Sequence, residues 1–233
     1  MVTNSLYDPL GFVLAAKILL PDTCAQGLGW DEPVGRAEEF RWRQWLEELP
    51  QLSDISIDRS LKPKTDKDIR TYKLHVFCNA FQRGYAAVTY LRTIDTASDI
   101  HCSFFFGLTR LCPLKVMTIP RLELSAAVQA CSLSETMRRD LRLPDMSTTF
   151  WTDSTSFLQY LRNESRRFHT FVANRTSKIQ DVSDPSQWRH VDTKANPADD
   201  GSIGVPVRQL TRWVKGPEFL LNERDTWPVN LVM

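Results

Sequence analysis

Several acidic residues in this chain stand where one local pattern gives way to the next. Asp153 ends the β-branched and aromatic run Thr148–Thr152, and Ser154 or Thr155 after it can cap a helix that carries Phe157, Leu158 and Leu161 on one face. Glu123 falls in the first turn of a helical pattern opened by Pro120, and Asp199 and Asp200 follow Asn196-Pro197-Ala198 at another helix start. Each acid has a structural reading by itself, because a carboxylate near a helix N-terminus offsets the partial positive charge of the unpaired N–H groups there. Gathered at one sheet end they have a chemical reading, since open α/β sheets bind ligands at the carboxyl ends of their strands. The chemistry is divalent-metal hydrolysis of a phosphodiester. Two Mg²⁺ ions about 4 Å apart, held by roughly three or four carboxylates, activate a water on one side and stabilise the leaving oxygen on the other. Oxygen ligands suit Mg²⁺, a hard ion that keeps some of its water. The sequence shows no Ser/His/Asp, zinc or Gly-rich phosphate-loop pattern, and His190 reads as a strand residue.

The elements that must position these acids are legible in order. Tyr72, Leu74, Val76 and Cys78 alternate with Lys73, His75, Phe77 and Asn79, a period of two. Gln82-Arg83-Gly84 turns the chain into a second strand over 85–91, and the polar turn 95–99 leads to a third over 101–108, so the three form an antiparallel meander. A long helix from Pro120 to about Leu141 follows, with Leu122, Ala126, Ala130, Leu133 and Met137 as its apolar stripe. After the strand that ends at Asp153 and its helix, the pattern predicts a further helix over 166–180, a strand over 187–191 and a last helix start at Ala198-Asp199-Asp200.

At 233 residues, with 42% hydrophobic and 24% charged content, the chain has ordinary globular composition and can bury a full core with flanks to spare. A net charge of +1 leaves a nucleic-acid partner open, because local clustering and not the total decides phosphate binding. The five cysteines form no CxxC pair and read as reduced thiols of an intracellular protein, cytoplasmic or nuclear. The apolar run from Gly11 to Leu20 is too short for a membrane span and is interrupted by Lys17, so no membrane partner is expected.

Residues 1–62 read as a separate helical segment: Tyr7-Asp8-Pro9-Leu10-Gly11 is turn chemistry, 12–20 is an apolar helical run, and 38–49 is a second helix stopped by Pro50. Within it, residues 21–60 hold nine acids against four Lys and Arg, which disfavours a polyanion there. Residues 63–70 read as a linker. Residues 121–178 reverse the balance, with nine Lys and Arg against six acids; Arg138, Arg139 and Arg142 read as solvated helix faces, and Arg166, Arg167 and Arg175 as candidate nucleic-acid contacts.

Five motifs then occur in order: Ile119-Pro120-Arg121-Leu122-Glu123-Leu124, Trp151-Thr152-Asp153-Ser154, Phe171-Val172-Ala173-Asn174-Arg175, Gln187-Trp188-Arg189-His190-Val191 and Asn196-Pro197-Ala198-Asp199-Asp200. Together they resemble the ribonuclease H region of BEL/Pao-type retrotransposon Pol polyproteins. Tyr7-Asp8-Pro9-Leu10-Gly11 and Trp30-Asp31-Glu32-Pro33 resemble the end of the preceding reverse transcriptase, and Gly216-Pro217-Glu218-Phe219-Leu220 with Trp227-Pro228 resembles the spacer towards integrase.

The resemblance implies an α/β fold, a ribonuclease H-like mixed five-stranded sheet with flanking helices and a small helical N-terminal appendage. It implies a reverse-transcriptase-derived tail over 1–62, a linker over 63–70, the ribonuclease H-like domain over 71–205 and a spacer over 206–233. The flanks are then expected to add little, so that deleting both leaves a folded core. It also implies two Mg²⁺ ions as cofactors, an RNA/DNA hybrid as substrate, and the other Pol modules, reverse transcriptase and integrase, as partners. Four family acids carry over as metal-binding positions: the second to Glu123, the third to Asp153 and the fourth to Asp199, with Asp200 as the alternative. The first falls on Asn79, in Phe77-Cys78-Asn79-Ala80-Phe81, where the family usually reads Cys-Asp-Ala-Ser. Phe81 replaces a small hydroxyl residue, and Ile203 stands where the family usually has Arg. An amide offers one carbonyl oxygen but no charge, and cannot bridge two cations as a carboxylate does. Two functions are therefore set against each other: a metal-dependent ribonuclease acting through Glu123, Asp153 and Asp199, and a decayed or domesticated module that keeps the fold and binds nucleic acid or protein. A transposase or integrase of the same general fold is disfavoured, because its glutamate comes last in the set and Glu123 comes second.

Overall fold

The computed structural model describes residues 8–29, 31–64, 66–163, 168–204 and 206–229. Five strands, β1 (Ile69–Ala80), β2 (Gly84–Asp95), β3 (Ile100–Leu111), β4 (Ser147–Thr152) and β5 (Trp188–His190), form one sheet in the order β3-β2-β1-β4-β5. The β1–β2 and β2–β3 pairs are antiparallel, and β1–β4 and β4–β5 are parallel. This is the mixed five-stranded sheet that the resemblance implies. Its meander strands are longer than their alternation suggests, and β1 begins at Ile69, two residues inside the stretch read as linker. Pairing with β2 from Ile69 to Ala80 supplies backbone partners that recruit those polar residues into the ladder.

The parallel pairs need crossovers, and helices provide them. Helix α3 (Ile119–Leu141) carries the chain from β3 to β4, and α4 (Thr155–Arg162) and α5 (Thr170–Gln180) lead from β4 to β5. The expected stripe of α3, Leu122, Ala126, Ala130, Leu133 and Met137, is buried against Leu74, Val76, Cys78 and Ala80 of β1 and Phe150 of β4. The helix ends where Arg142 takes a left-handed conformation and donates its N–H to Arg138 O. Ser154 is the cap of α4, its Oγ accepting from Phe157 N–H at 3.2 Å. The expected helix over 166–180 is seen from Thr170, while Arg166 and Arg167 lie outside the described residues.

The other face of the sheet is also apolar. His75 and Phe77 of β1, Ala86, Val88 and Tyr90 of β2 and Trp151 of β4 point to this side, all fully buried. They are covered by the flanks: Phe12 in the turn before α1 (Leu14–Ala25), Ala16 of α1 and Trp45 of α2 (Arg36–Glu48) on one side of the sequence, and on the other the segment after α6 (Pro197–Ile203), including α7 (Leu210–Lys215), with Leu210, Trp213, Leu220 and Trp227. Trp213 reaches the sheet because Gly107 and Gly201 leave room; a Cβ on them would stand 2.6 and 2.4 Å from its ring. The expectation that the flanks add little is corrected here. Charge count and motif origin describe where a segment comes from, but the bare aromatic face of β1, β2 and β4 needs apolar cover, and residues on both sides of the sheet domain provide it.

Candidate functional site

Asn79 and Asp153 end neighbouring parallel strands. Phe77 of β1 is level with Trp151 of β4, so two residues further along each strand Asn79 and Asp153 come out at the same sheet end. Glu123, in the second turn of α3, is buried over that end. Asp199 arrives from the opposite face on α6, which is anchored by Asn196: its Oδ1 accepts from Ala198 N–H at 3.1 Å, and its Nδ2 donates to Cys78 O at 3.1 Å. That bond ties the start of α6 to the end of β1 through a side chain with no exposure.

Both ends of the Asn79 amide make a hydrogen bond. Its Oδ1 accepts from Ala80 N–H at 2.7 Å and its Nδ2 donates to Asp199 Oδ1 at 2.8 Å. Asp199 and Asp200, adjacent in α6, face different partners. Asp200 Oδ1 lies 3.3 Å from Arg212 in α7, whereas Asp199 is held towards Asn79. Arg212 also donates to Lys194 O at 2.5 Å, which fixes the guanidinium beside α6.

The electrostatics follow from burial and crowding. The Glu123 carboxyl is pushed up to about 8, chiefly by burial, then by the nearby charges of Asp153 and Asp199, with a backbone hydrogen bond at Ala80 opposing. Asp199 is also raised, by burial and then Asp153, against the lowering effects of Arg212 and the Asn79 amide. Burial raises Asp200, opposed by Arg212. Glu123 Oε2, Asp153 Oδ1 and Asp200 Oδ2 are buried without a hydrogen-bond partner among the described residues.

The unpartnered carboxylate oxygens are what a cation site would use, but the set as it stands does not fit a pair of divalent ions. Among the described residues no three His, Cys, Asp or Glu side chains are grouped so that they could hold one metal ion. The Asn79 NH₂ donates to Asp199 Oδ1, its carbonyl oxygen already accepts from Ala80 N–H, and burial with the neighbouring acids raises Glu123. Mg²⁺ demands near-ideal geometry from anionic oxygens, and an amide donor aimed into the cluster opposes it.

Of the remaining sequence candidates, Arg175 lies on α5 over the Phe171 ring at 3.6 Å, and its Nε donates to Ser125 Oγ of α3 at 3.3 Å. It lines a groove of about 660 Å³ with Tyr85, Arg110, Asn174 and Lys178. Phe81 and Ile203 are both about half exposed near the ends of β1 and α6. His190 is in β5 as expected. Sequence reasoning missed two residues that build the site, Asn196 and Arg212. Asn before Pro at a helix start was a usable signal for the first, as a cap ahead of a first-turn proline. Nothing local marks Arg212.

Among solved structures, the N-terminal ribonuclease H domain of Rv2228c from Mycobacterium tuberculosis, determined as a fusion with maltose-binding protein, is similar at 13% identity and a TM-score of 0.39, over 57% of this chain and 94% of that one. LC11-RNase H1 in complex with an RNA/DNA hybrid is similar at 12% identity and a TM-score of 0.38, over 60% of this chain and 99% of that one. The foamy viral protease-reverse transcriptase dRH in complex with double-stranded DNA is similar at 13% identity and a TM-score of 0.41, over 76% of this chain but 28% of that one. No curated protein matches the chain in sequence. The family model described as Pao retrotransposon-like RNaseH-like domain matches residues 1–154, which takes in the N-terminal helices, Asn79, Glu123 and Asp153 and stops before α6. The chain belongs to that family, the Pao retrotransposon-like RNaseH-like domains.

Proposed function

We propose that this chain is a retroelement ribonuclease H-like module whose ancestral reaction, hydrolysis of the RNA strand of an RNA/DNA hybrid with two Mg²⁺ ions, is impaired by Asn79. The observation that carries the reading is the Asn79–Asp199 hydrogen bond, which puts an uncharged donor where the family's first acid would supply a charged ligand. Glu123, Asp153 and Asp199 would be the remaining metal ligands, with Asp200 held apart from them by Arg212. Arg175, with Arg110 and Lys178 in the same groove, would contact the hybrid backbone.

Family membership supports the retroelement origin. The motifs of the flanks support reading them as pieces of neighbouring Pol modules: a reverse-transcriptase tail over 1–62, a linker over 63–70, the ribonuclease H-like domain over 71–205 and a spacer towards integrase over 206–233. Their packing onto the sheet means that such modules would share a core while differing in origin. No helix among the described residues is long and apolar enough to cross a membrane.

The alternative, a domesticated module that binds without cutting, keeps the same fold and the same Arg175 groove. Incubating the full chain with a labelled RNA/DNA hybrid and Mg²⁺, beside an Asp153→Asn control, tests the reading. Hybrid binding with cleavage at or near the control level is expected. Rapid cleavage that the control abolishes would overturn the impairment.

A further inference from the structure

Away from the acid cluster, the sheet sets two cations face to face. Lys73 of β1 is registered opposite Arg92 of β2, on the side that carries His75, Phe77 and Tyr90. Directly opposed like charges repel, so the pairing is costly unless something gathers there. Arg189 of β5 and Arg224 of the C-terminal segment join them: Arg224 O accepts from Trp227 N–H at 3.2 Å, which sets Arg224 next to the indole residue, and after burial, Arg224, Arg92 and Arg189 in turn depress the Lys73 ammonium, to about 8. The Trp227 indole lies at the centre of the group, with Lys73 Nζ 5.0 Å, Arg92 5.4 Å and Arg189 5.7 Å from its ring. Among the described residues, none of the four cations forms an ion pair.

Clamping the C-terminal segment accounts for part of this cluster. Arg92 donates to Leu220 O at 2.7 Å and Asn222 O at 3.0 Å, and Arg189 donates to Pro228 O at 3.2 Å. The clamp does not use Lys73 or Arg224. Lys73 is half-buried with its ammonium over the indole face, and Arg224 is exposed. Among the described residues, Arg189 Nε is buried without a hydrogen-bond partner. So is His75 Nε2, beneath the same indole; because His75 Nδ1 accepts from Trp151 Nε1 at 2.9 Å, the neutral ring carries its proton on Nε2.

We propose that Lys73, Arg189 and Arg224 form a second anion site, which binds a backbone phosphate of a nucleic-acid strand. Lys73 lies six residues before Asn79 on the same strand, so at the rise of a β-strand the site is about 20 Å from the acid cluster. The donors are long side chains, Lys73 and Arg189 partly exposed and Arg224 exposed, spread over β1, β5 and the C-terminal segment. That suits a chain of phosphodiesters, whereas a free phosphate is typically cradled by backbone N–H groups. Trp227 is too buried to stack a base and serves as the platform that holds the cations together. The inference rests on this cluster alone and holds whether or not the acid site cuts a hybrid.

Fluorescence anisotropy of a labelled single-stranded oligonucleotide of about 20 nucleotides, titrated with the full chain in EDTA, tests it without metal at the acid cluster. Lys73→Met keeps the apolar stem over Trp227, and Arg224→Gln changes an exposed side chain, so either variant can decide the matter if the other fails to fold. Each is expected to weaken binding by about fivefold to tenfold and to reduce the salt dependence by about one released counterion. Unchanged affinity and salt slope in the folded variants would overturn the site and leave the Arg175 groove as the source of any binding. A parallel titration with inorganic pyrophosphate separates the sources: pyrophosphate binding that the same variants weaken, without oligonucleotide binding, would overturn the assignment to a strand.

Discussion

The Asn79 amide nitrogen lies 2.8 Å from Asp199 Oδ1 and donates to it, while the amide oxygen accepts from Ala80 N–H. One side chain thereby joins the end of β1 to α6 without any cation. An aspartate at this position could still accept from Ala80 N–H, but its second oxygen would meet the Asp199 carboxylate at the same separation. Two carboxylates that close repel unless a proton or a cation comes between them. Asn79→Asp is therefore expected to lower stability in EDTA by about 2 kcal/mol, the scale of a lost buried hydrogen bond plus repulsion. Mg²⁺ should restore it. Thermal melts with and without Mg²⁺ check this: the unsubstituted chain should show little metal dependence, and the variant a clear rise in Tm.

Glu123 should make the fold less stable as pH rises. Its carboxyl holds a proton in the folded chain up to about 8, while the unfolded chain releases it near 4.5. Between those values the folded state binds more protons than the unfolded state, so stability is highest below the unfolded pKa and falls as pH rises towards the folded one. Asp199 and Asp200, also raised, contribute in the same direction. Glu123→Gln removes the charge and keeps the shape. It should match the parent at pH 4 and exceed it at pH 8 by on the order of 2–3 kcal/mol, visible as a flatter plot of Tm against pH. Equal pH dependence in the two proteins would mean that Glu123 is ionised in the fold.

The C-terminal flank should be as necessary as the sheet it covers. Gly201→Ala puts a methyl group 2.4 Å from the Trp213 ring at its ideal position, and Trp213 is fully buried against Gly107 on the other side. Overpacking of this kind costs about 1–3 kcal/mol. Trp213→Ala should cost about 3–5 kcal/mol. Residues 63–205 alone are expected to melt without cooperativity and to bind a hydrophobic dye, because Phe77, Tyr90 and Trp151 lose their cover. A sharp melt of that fragment would show that the flanks are dispensable.

The succession of elements along the chain and the extent of α3 were legible because each rests on a local period: alternation in β1, steps of three and four in α3, and a capped start at Ser154. The acids could be placed at element ends for the same reason. The second core was not legible, since Tyr90 Oη donates to Trp213 O across 123 positions and no local pattern records such a contact. Lys73, His75, Phe77 and Asn79 are legible only as one set of alternating positions, and nothing local shows that His75 and Phe77 are buried beneath the C-terminal segment with Trp213 and Trp227. The separate roles of Asp199 and Asp200 depend on Arg212, whose place is set by α7 packing on the sheet and not by its neighbours in sequence.

The most direct measurement of the central claim is cleavage of a labelled RNA/DNA hybrid with Mg²⁺ by the chain and by Asn79→Asp, each with Asp153→Asn as background. If the amide is the sole defect, the unsubstituted chain should cleave at or near background, and Asn79→Asp should raise the rate by orders of magnitude, because a charged ligand replaces a donor that opposes metal binding. A small gain would assign further damage to Phe81 or Ile203. Strong cleavage by the unsubstituted chain, abolished by Asp153→Asn, would contradict the account and show that the site works with an amide in place of its first acid.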